Sequence, residues 1–153
     1  IKIKVMEKQV GIWIDSKKAI IVTLDGQKEE KITEIDSEVE NNVYHNKEGN
    51  KGTFSSGHHI DSETKFDNRK KEQIDYFLKS VMLYVKGSDY LYLFGPGEIK
   101  TKLEQKIHDD KSLEKLNLKA VETTDSMTLN EIVAQVKDFY HPLQRKINMA
   151  KQR

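Results

Sequence analysis

Apolar residues in the first part of the chain come in short runs broken by turn-forming residues. Gln9 to Ile14, QVGIWI, is almost continuously apolar, and Lys18 to Leu24, KAIIVTL, repeats the pattern after Asp15-Ser16-Lys17. The pair reads as a β-hairpin. Asp25-Gly26 supplies the next turn, and between Glu30 and Glu38 the residues Ile32 and Ile35 stand among charges, as in a half-exposed strand. Three antiparallel strands therefore open the domain. From Ile74 the spacing changes. Phe77, Leu78, Val81, Met82 and Val85 recur at three- and four-residue steps, which predicts a helix capped by Asp67 or Asn68 and ended by Gly87. Tyr90 to Phe94, YLYLF, reads as a buried strand. Gly95-Pro96-Gly97 then turns the chain into a helix over Glu98 to His108, with Ile99, Leu103 and Ile107 on one stripe. Leu118 to Val121 forms the last strand. Asp125 or Ser126 caps a closing helix with Leu129, Ile132, Val133, Val136 and Phe139 on its apolar face, and Pro142 ends it.

Strands that alternate with helices in the second half require parallel pairing covered by helices. The fold class is therefore α/β, with a mixed sheet. Residues 1–153 make a single domain, a length that closes a core without metal or disulfide staples. Between the two halves, Glu40 to Asp67 is polar, carries Gly49, Gly52 and Gly57, lacks periodicity and holds His45, His58 and His59. It reads as a long mobile loop at about 40–67, and such loops carry function more often than they carry packing. Residues 143–153 form a basic tail ending Lys151-Gln152-Arg153.

Composition narrows the chemistry. There are no cysteines, which removes disulfides, thiolate nucleophiles and cysteine zinc sites together. The hydrophobic fraction is 36% and the charged fraction 33%, and no run approaches the roughly 18 apolar residues of a bilayer span. A cytoplasmic protein without membrane contact is expected. Met6-Glu7-Lys8-Gln9 reads like a natural beginning. Twenty-six basic side chains face 25 acidic ones, for a net charge of +1. Nucleic-acid binding by overall charge is excluded, and any RNA contact must be local.

Local basic residues exist. Lys65, Arg69, Lys70 and Lys71 cluster where the loop meets its helix, in a pattern that suits rRNA or tRNA phosphates; Glu63, Asp67, Glu72 and Asp75 are interleaved with them, as on a solvated face. Gly95-Pro96-Gly97 places backbone N–H groups at a helix start, with Lys100 close by. That arrangement can hold a phosphate or simply turn the chain sharply. It is not a P-loop, which ends Gly-Lys-Ser/Thr, so no nucleotide cofactor is expected. His58 and His59, with Asp61 and Glu63, offer metal-ligand or acid–base chemistry, but no fixed nucleophile accompanies them. Asp15, Asp89 and Asp125 fall near strand ends, where a two-metal nuclease keeps its carboxylates; Asp15-Ser16-Lys17-Lys18 reads better as a hairpin turn. Trp13, Tyr90 and Tyr92 sit in strands and read as core or sheet-face residues. No metal or other cofactor is assigned.

The element order and three phrases together resemble the middle domain of the archaeal and eukaryotic class-one peptide-chain release factors and Pelota, and small bacterial stand-alone relatives described as translational machinery proteins. The phrases are Gly11-Ile12-Trp13-Ile14-Asp15-Ser16-Lys17-Lys18-Ala19, the stretch from Leu91 through Gly95-Pro96-Gly97 to Leu103, and Asp125-Ser126-Met127-Thr128. The resemblance implies a ribonuclease H-like, translational machinery component fold. In the release factors a Gly-Gly-Gln tip on the long loop positions water against the ester of peptidyl-tRNA, and a basic helix follows. The corresponding place here is Gly57-His58-His59. Only Gly57 matches, and no glutamine lies between Gln27 and Gln73. The resemblance therefore implies a translation-related binding module without release chemistry, contacting the ribosome or tRNA through Gly57, His58, His59, Arg69, Lys70 and Lys71, with Gly95, Gly97 and Lys100 as an anion-binding turn. The alternatives are a hydrolase of RNA or a phosphoester using the His58/His59 loop, and a protein-interaction domain that binds no nucleic acid.

Overall fold

The computed structural model describes residues 7–25, 30–38, 56–142 and 150, with the backbone alone for 56–64 and 66. The chain order is β1 (Lys8–Ile14), β2 (Lys18–Asp25), β3 (Lys31–Asp36), α1 (Ser56–Val85), β4 (Tyr90–Gly95), α2 (Ile99–Asp109), a 3₁₀ turn (Lys111–Leu113), β5 (Asn117–Thr123) and α3 (Leu129–Tyr140). The strands form one sheet in the order β3-β2-β1-β4-β5. β1, β2 and β3 are antiparallel neighbours, with Ile14 opposite Ala19 and Lys18 opposite Asp36. β4 runs parallel to β1, with Trp13 opposite Phe94, and β5 runs parallel to β4. The expected α/β class, with its mixed sheet and parallel later strands, is the one observed.

The sheet is covered on both faces, which explains the continuous apolar run in β1. A strand buried on one face alternates; one buried on both does not. Ile12, Ile14, Ile21, Leu91 and Leu93 pack beneath α1 and α2, through Phe77, Leu78, Val81, Val85, Leu103 and Ile107. Trp13, Ile20, Val22, Tyr92 and Phe94 pack beneath α3, through Ile132 and Val136. Gly11 sets the depth of that second layer. A Cβ at Gly11 would overlap both Val136 methyls, so glycine there lets α3 settle directly on β1. Tyr140 then ties the far end of α3 to the sheet by donating its hydroxyl to the Val10 carbonyl at 2.7 Å.

Two sequence expectations give way to the structure. The loop expected over 40–67 is helical from Ser56 onward, so α1 spans 30 residues and starts well before Asp67 or Asn68; residues 40–55 lie outside the described residues. Among the described side chains of α1, core contact begins at Ile74, where the apolar periodicity also begins. The first part of the helix is supported by strong helix formers such as Lys65, Arg69, Lys70, Lys71 and Glu72, and by favourable acid-to-base spacings such as Asp67 to Lys71. A helix that buries no face leaves no periodic apolar signal. The cap of α3 is Thr128, not Asp125 or Ser126. Thr128 Oγ1 accepts the Glu131 N–H at 3.2 Å, and the Glu131 carboxylate accepts the Thr128 N–H at 2.9 Å. This is the capping box written Thr-Leu-Asn-Glu. The expected basic tail at 143–153 falls outside the described residues, apart from position 150.

Candidate functional site

Every described side chain of α1 upstream of Ile74 is exposed or half-buried. Core contact starts at Ile74 and continues through Phe77, Leu78, Val81, Met82 and Val85. At 1.5 Å per residue the helix is about 45 Å long, so more than half its length lies upstream of the packed segment. Gly57, His58 and His59 lie in its first turn. Their side chains, and His45, fall outside the described residues.

Arg69 and Lys71 are exposed and Lys70 is half-buried. Consecutive helical residues are rotated by about 100°, so these three fan around the helix rather than forming one patch. The carboxylates between them behave similarly: Asp75 reaches Lys106 on α2, at 3.6 Å, while Asp67 and Glu72 face solvent. What sequence reading missed is a different alignment. Lys65, Arg69, Glu72, Tyr76, Lys79 and Leu83 follow one another at four- and three-residue steps, and all are exposed. They share the side of α1 that points away from the core. Tyr76 is 75% exposed and Leu83 70%, the two most exposed large apolar side chains described. The signal was present as the spacing from Lys65, but the apolar stripe on the opposite side of the same helix masked it.

The Gly95-Pro96-Gly97 turn is a crossing point. Gly95 has φ +143°, and a Cβ there would overlap the Ile14 carbonyl, so β4 passes β1 too closely for any side chain. Gly97 has φ +71° with open space around it, a left-handed position that glycine occupies freely. Lys100 is only 5% exposed, and its ammonium donates to the Gly97 carbonyl at 2.6 Å. It thereby braces its own turn. No side chain caps the first turn of α2.

Asp15 and Asp89 do not converge. Asp15 Oδ1 accepts the N–H groups of Lys17 and Lys18, both at 2.8 Å, closing the β1–β2 turn as expected. Asp89 receives the Lys8 N–H at the other end of β1. Seven residues of strand separate the two, about 23 Å, which no pair of bridged metals spans. Among the described residues no group of three or more metal-ligating side chains occurs. No helix among them is long and apolar enough to cross a membrane.

Trp13, Tyr90 and Tyr92 are core or sheet-face residues, as expected. Trp13 is buried beneath α3. Tyr92 stacks between Phe94 and Phe139, donates its hydroxyl to Glu122 and accepts from Gln135 at 3.1 Å. Burial first, and the Glu122 bond second, push its hydroxyl up to about 12. Burial also raises Tyr140. Tyr90 lies under the Lys119 ammonium, 5.0 Å from the ring centre.

No family model and no curated protein matches the chain. Among solved structures it is similar to an archaeal translation termination factor, aRF1, at 15% identity and a TM-score of 0.47, over 95% of this chain and 41% of that one. It is similar to a second structure, described as an archaeal protein, at 15% identity and a TM-score of 0.43, again over 95% and 41%. The chain thus spans about two fifths of the length of these structures. At these scores the architecture rests on the strand order and packing given above.

Proposed function

We propose that this protein is a translation-related binding module that contacts ribosomal or transfer RNA through the upstream part of α1. The observation that carries the reading is the division of that helix. Residues 74–85 hold the core, while the described side chains before them join no core cluster and include Lys65, Arg69, Lys70 and Lys71. A helix that extends past its core without a buried face is anchored at one end and offered to a partner at the other. With a net charge of +1, RNA affinity has to come from such a local set of cations. Gly57, His58 and His59 occupy the start of this segment, and in this reading they form its leading contact. The release-factor likeness of the sequence phrases supports the translation context, and with only Gly57 matching the Gly-Gly-Gln tip, this reading assigns the module no part in peptide release.

The test is sedimentation of the tagged protein through sucrose gradients of cell lysate at low and high salt. Co-migration with ribosomes at low salt, abolished at high salt and by combined Arg69→Ala, Lys70→Ala and Lys71→Ala, is the expected result. Wild-type protein confined to the top of the gradient at low salt contradicts the proposal.

A further inference from the structure

The outward face of α1 carries more than charge. Lys65, Arg69, Glu72, Tyr76, Lys79 and Leu83 line up along it, three cations against one carboxylate. Lys65, Arg69 and Lys79 make no ion pair among the described residues, whereas Lys86, just past the end of α1, is engaged by Asp110 at 3.9 Å and Lys106 of α2 by Asp75 at 3.6 Å; Lys79 and Leu83 border the groove that those two lysines also line. Tyr76 stands between Arg69 and Lys79 with three quarters of its surface in solvent, and it meets no other ring or cation among the described residues. Its ring serves no packing purpose that the core requires. The aromatic residues that do serve one, Trp13, Phe77, Tyr92 and Phe94, are each no more than 2% exposed.

Cations spaced along a ridge with an exposed ring between them match the needs of an unpaired nucleic-acid strand. The ammonium and guanidinium groups meet successive phosphates, and a base stacks on the ring. A duplex uses the cations but has no free base face for Tyr76. We infer that the outward face of α1 binds unpaired RNA, with Lys65, Arg69 and Lys79 on the phosphates and Tyr76 stacking on a base. The inference rests on the RNA-contacting reading of α1 and adds to it the strandedness of the RNA and the residue that senses it.

Fluorescence anisotropy with labelled oligouridylate, and with an RNA duplex of equal length, tests it on the full chain at low salt. Tyr76 touches none of the core, so Tyr76→Ala and Tyr76→Phe leave the fold intact. Tyr76→Ala is expected to weaken oligouridylate binding by about tenfold. Tyr76→Phe should retain affinity, because stacking uses the ring and not the hydroxyl. Duplex binding should be weaker than oligouridylate binding and unchanged by either variant. Equal affinity of wild type and Tyr76→Ala for oligouridylate, or preference for the duplex, overturns the inference. If ribosome co-sedimentation still depends on the basic residues in that case, the proposed function survives it. Ribosome association lost in Tyr76→Ala without any oligouridylate binding by wild type identifies a protein partner on this face, and also overturns the inference. Loss of both RNA binding and ribosome co-sedimentation in wild type removes the proposed function along with it.

Discussion

Gly11, Gly95 and Gly97 lack a side chain for three different reasons, and alanine at each gives a graded test of the packing. Gly97 has open space, so Gly97→Ala meets only the left-handed backbone cost of about 1–2 kcal/mol. Gly11→Ala drives a methyl into Val136, a side chain that can shift, with an expected loss of about 1–3 kcal/mol. Gly95→Ala meets both a forbidden φ and the immovable Ile14 carbonyl, and should be the most damaging of the three. Urea unfolding midpoints should rank the variants in that order. Tyr92 and Tyr140 supply the pH test. Both are raised above the ordinary value of 10, so the folded state keeps protons that the unfolded chain gives up. The stability they contribute is complete below about pH 10 and drains as pH climbs toward 12. Ultraviolet titration should therefore show these two tyrosines ionising last, together with loss of far-UV circular dichroism. Titration of all the tyrosines near 10 with the fold intact would contradict the burial assigned to them.

At the scale of elements, the capping box of α3 predicts that Thr128→Ala lowers stability by about 1 kcal/mol, measured by thermal or urea unfolding. Helix α1 predicts a contrast between two prolines. Ser80→Pro interrupts the segment that packs through Val81 and Met82 and should cost about 3 kcal/mol or more of global stability. Asn68→Pro breaks the helix where no described side chain is buried, so it should reduce helicity and leave the melting temperature of the core almost unchanged. Equal losses in melting temperature would show that the upstream segment is bound to the core after all. The same division explains what the sequence could reveal. β1, β2 and β4 were legible as continuous apolar runs because both their faces are buried, and the packed helices because burial imposes a period of 3.6 on residues such as Leu103 and Val136. The described side chains of α1 before Ile74 carry no such period, so that stretch reads like a loop. The Thr128 cap was hidden by Asp125 and Ser126, which are equally good cap formers three and two residues earlier.

At the scale of the molecule, the core and the candidate site use different parts of the chain. The five strands, α2, α3 and residues 74–85 of α1 close a complete two-faced sheet. Nothing in that core needs Lys65, Arg69, Lys71 or Tyr76. The candidate site was therefore only half legible. Arg69, Lys70 and Lys71 stood out as a cationic run, yet on a helix they point in three directions. Tyr76 and Lys79, hidden inside a segment read as core helix, complete the face that Lys65 and Arg69 begin. Likewise Lys100, prominent beside the Gly95-Pro96-Gly97 turn, is occupied by the carbonyl of that turn. If the part of α1 upstream of its packed segment is the docking element, hydrogen–deuterium exchange of the protein alone and with purified ribosomes will register it. Fast exchange over residues 56–73 is expected in the free protein, with new protection there, extending to Tyr76, when ribosomes are added. Protection confined to the β4–α2 turn, or no change anywhere under conditions of saturating ribosome, would contradict it.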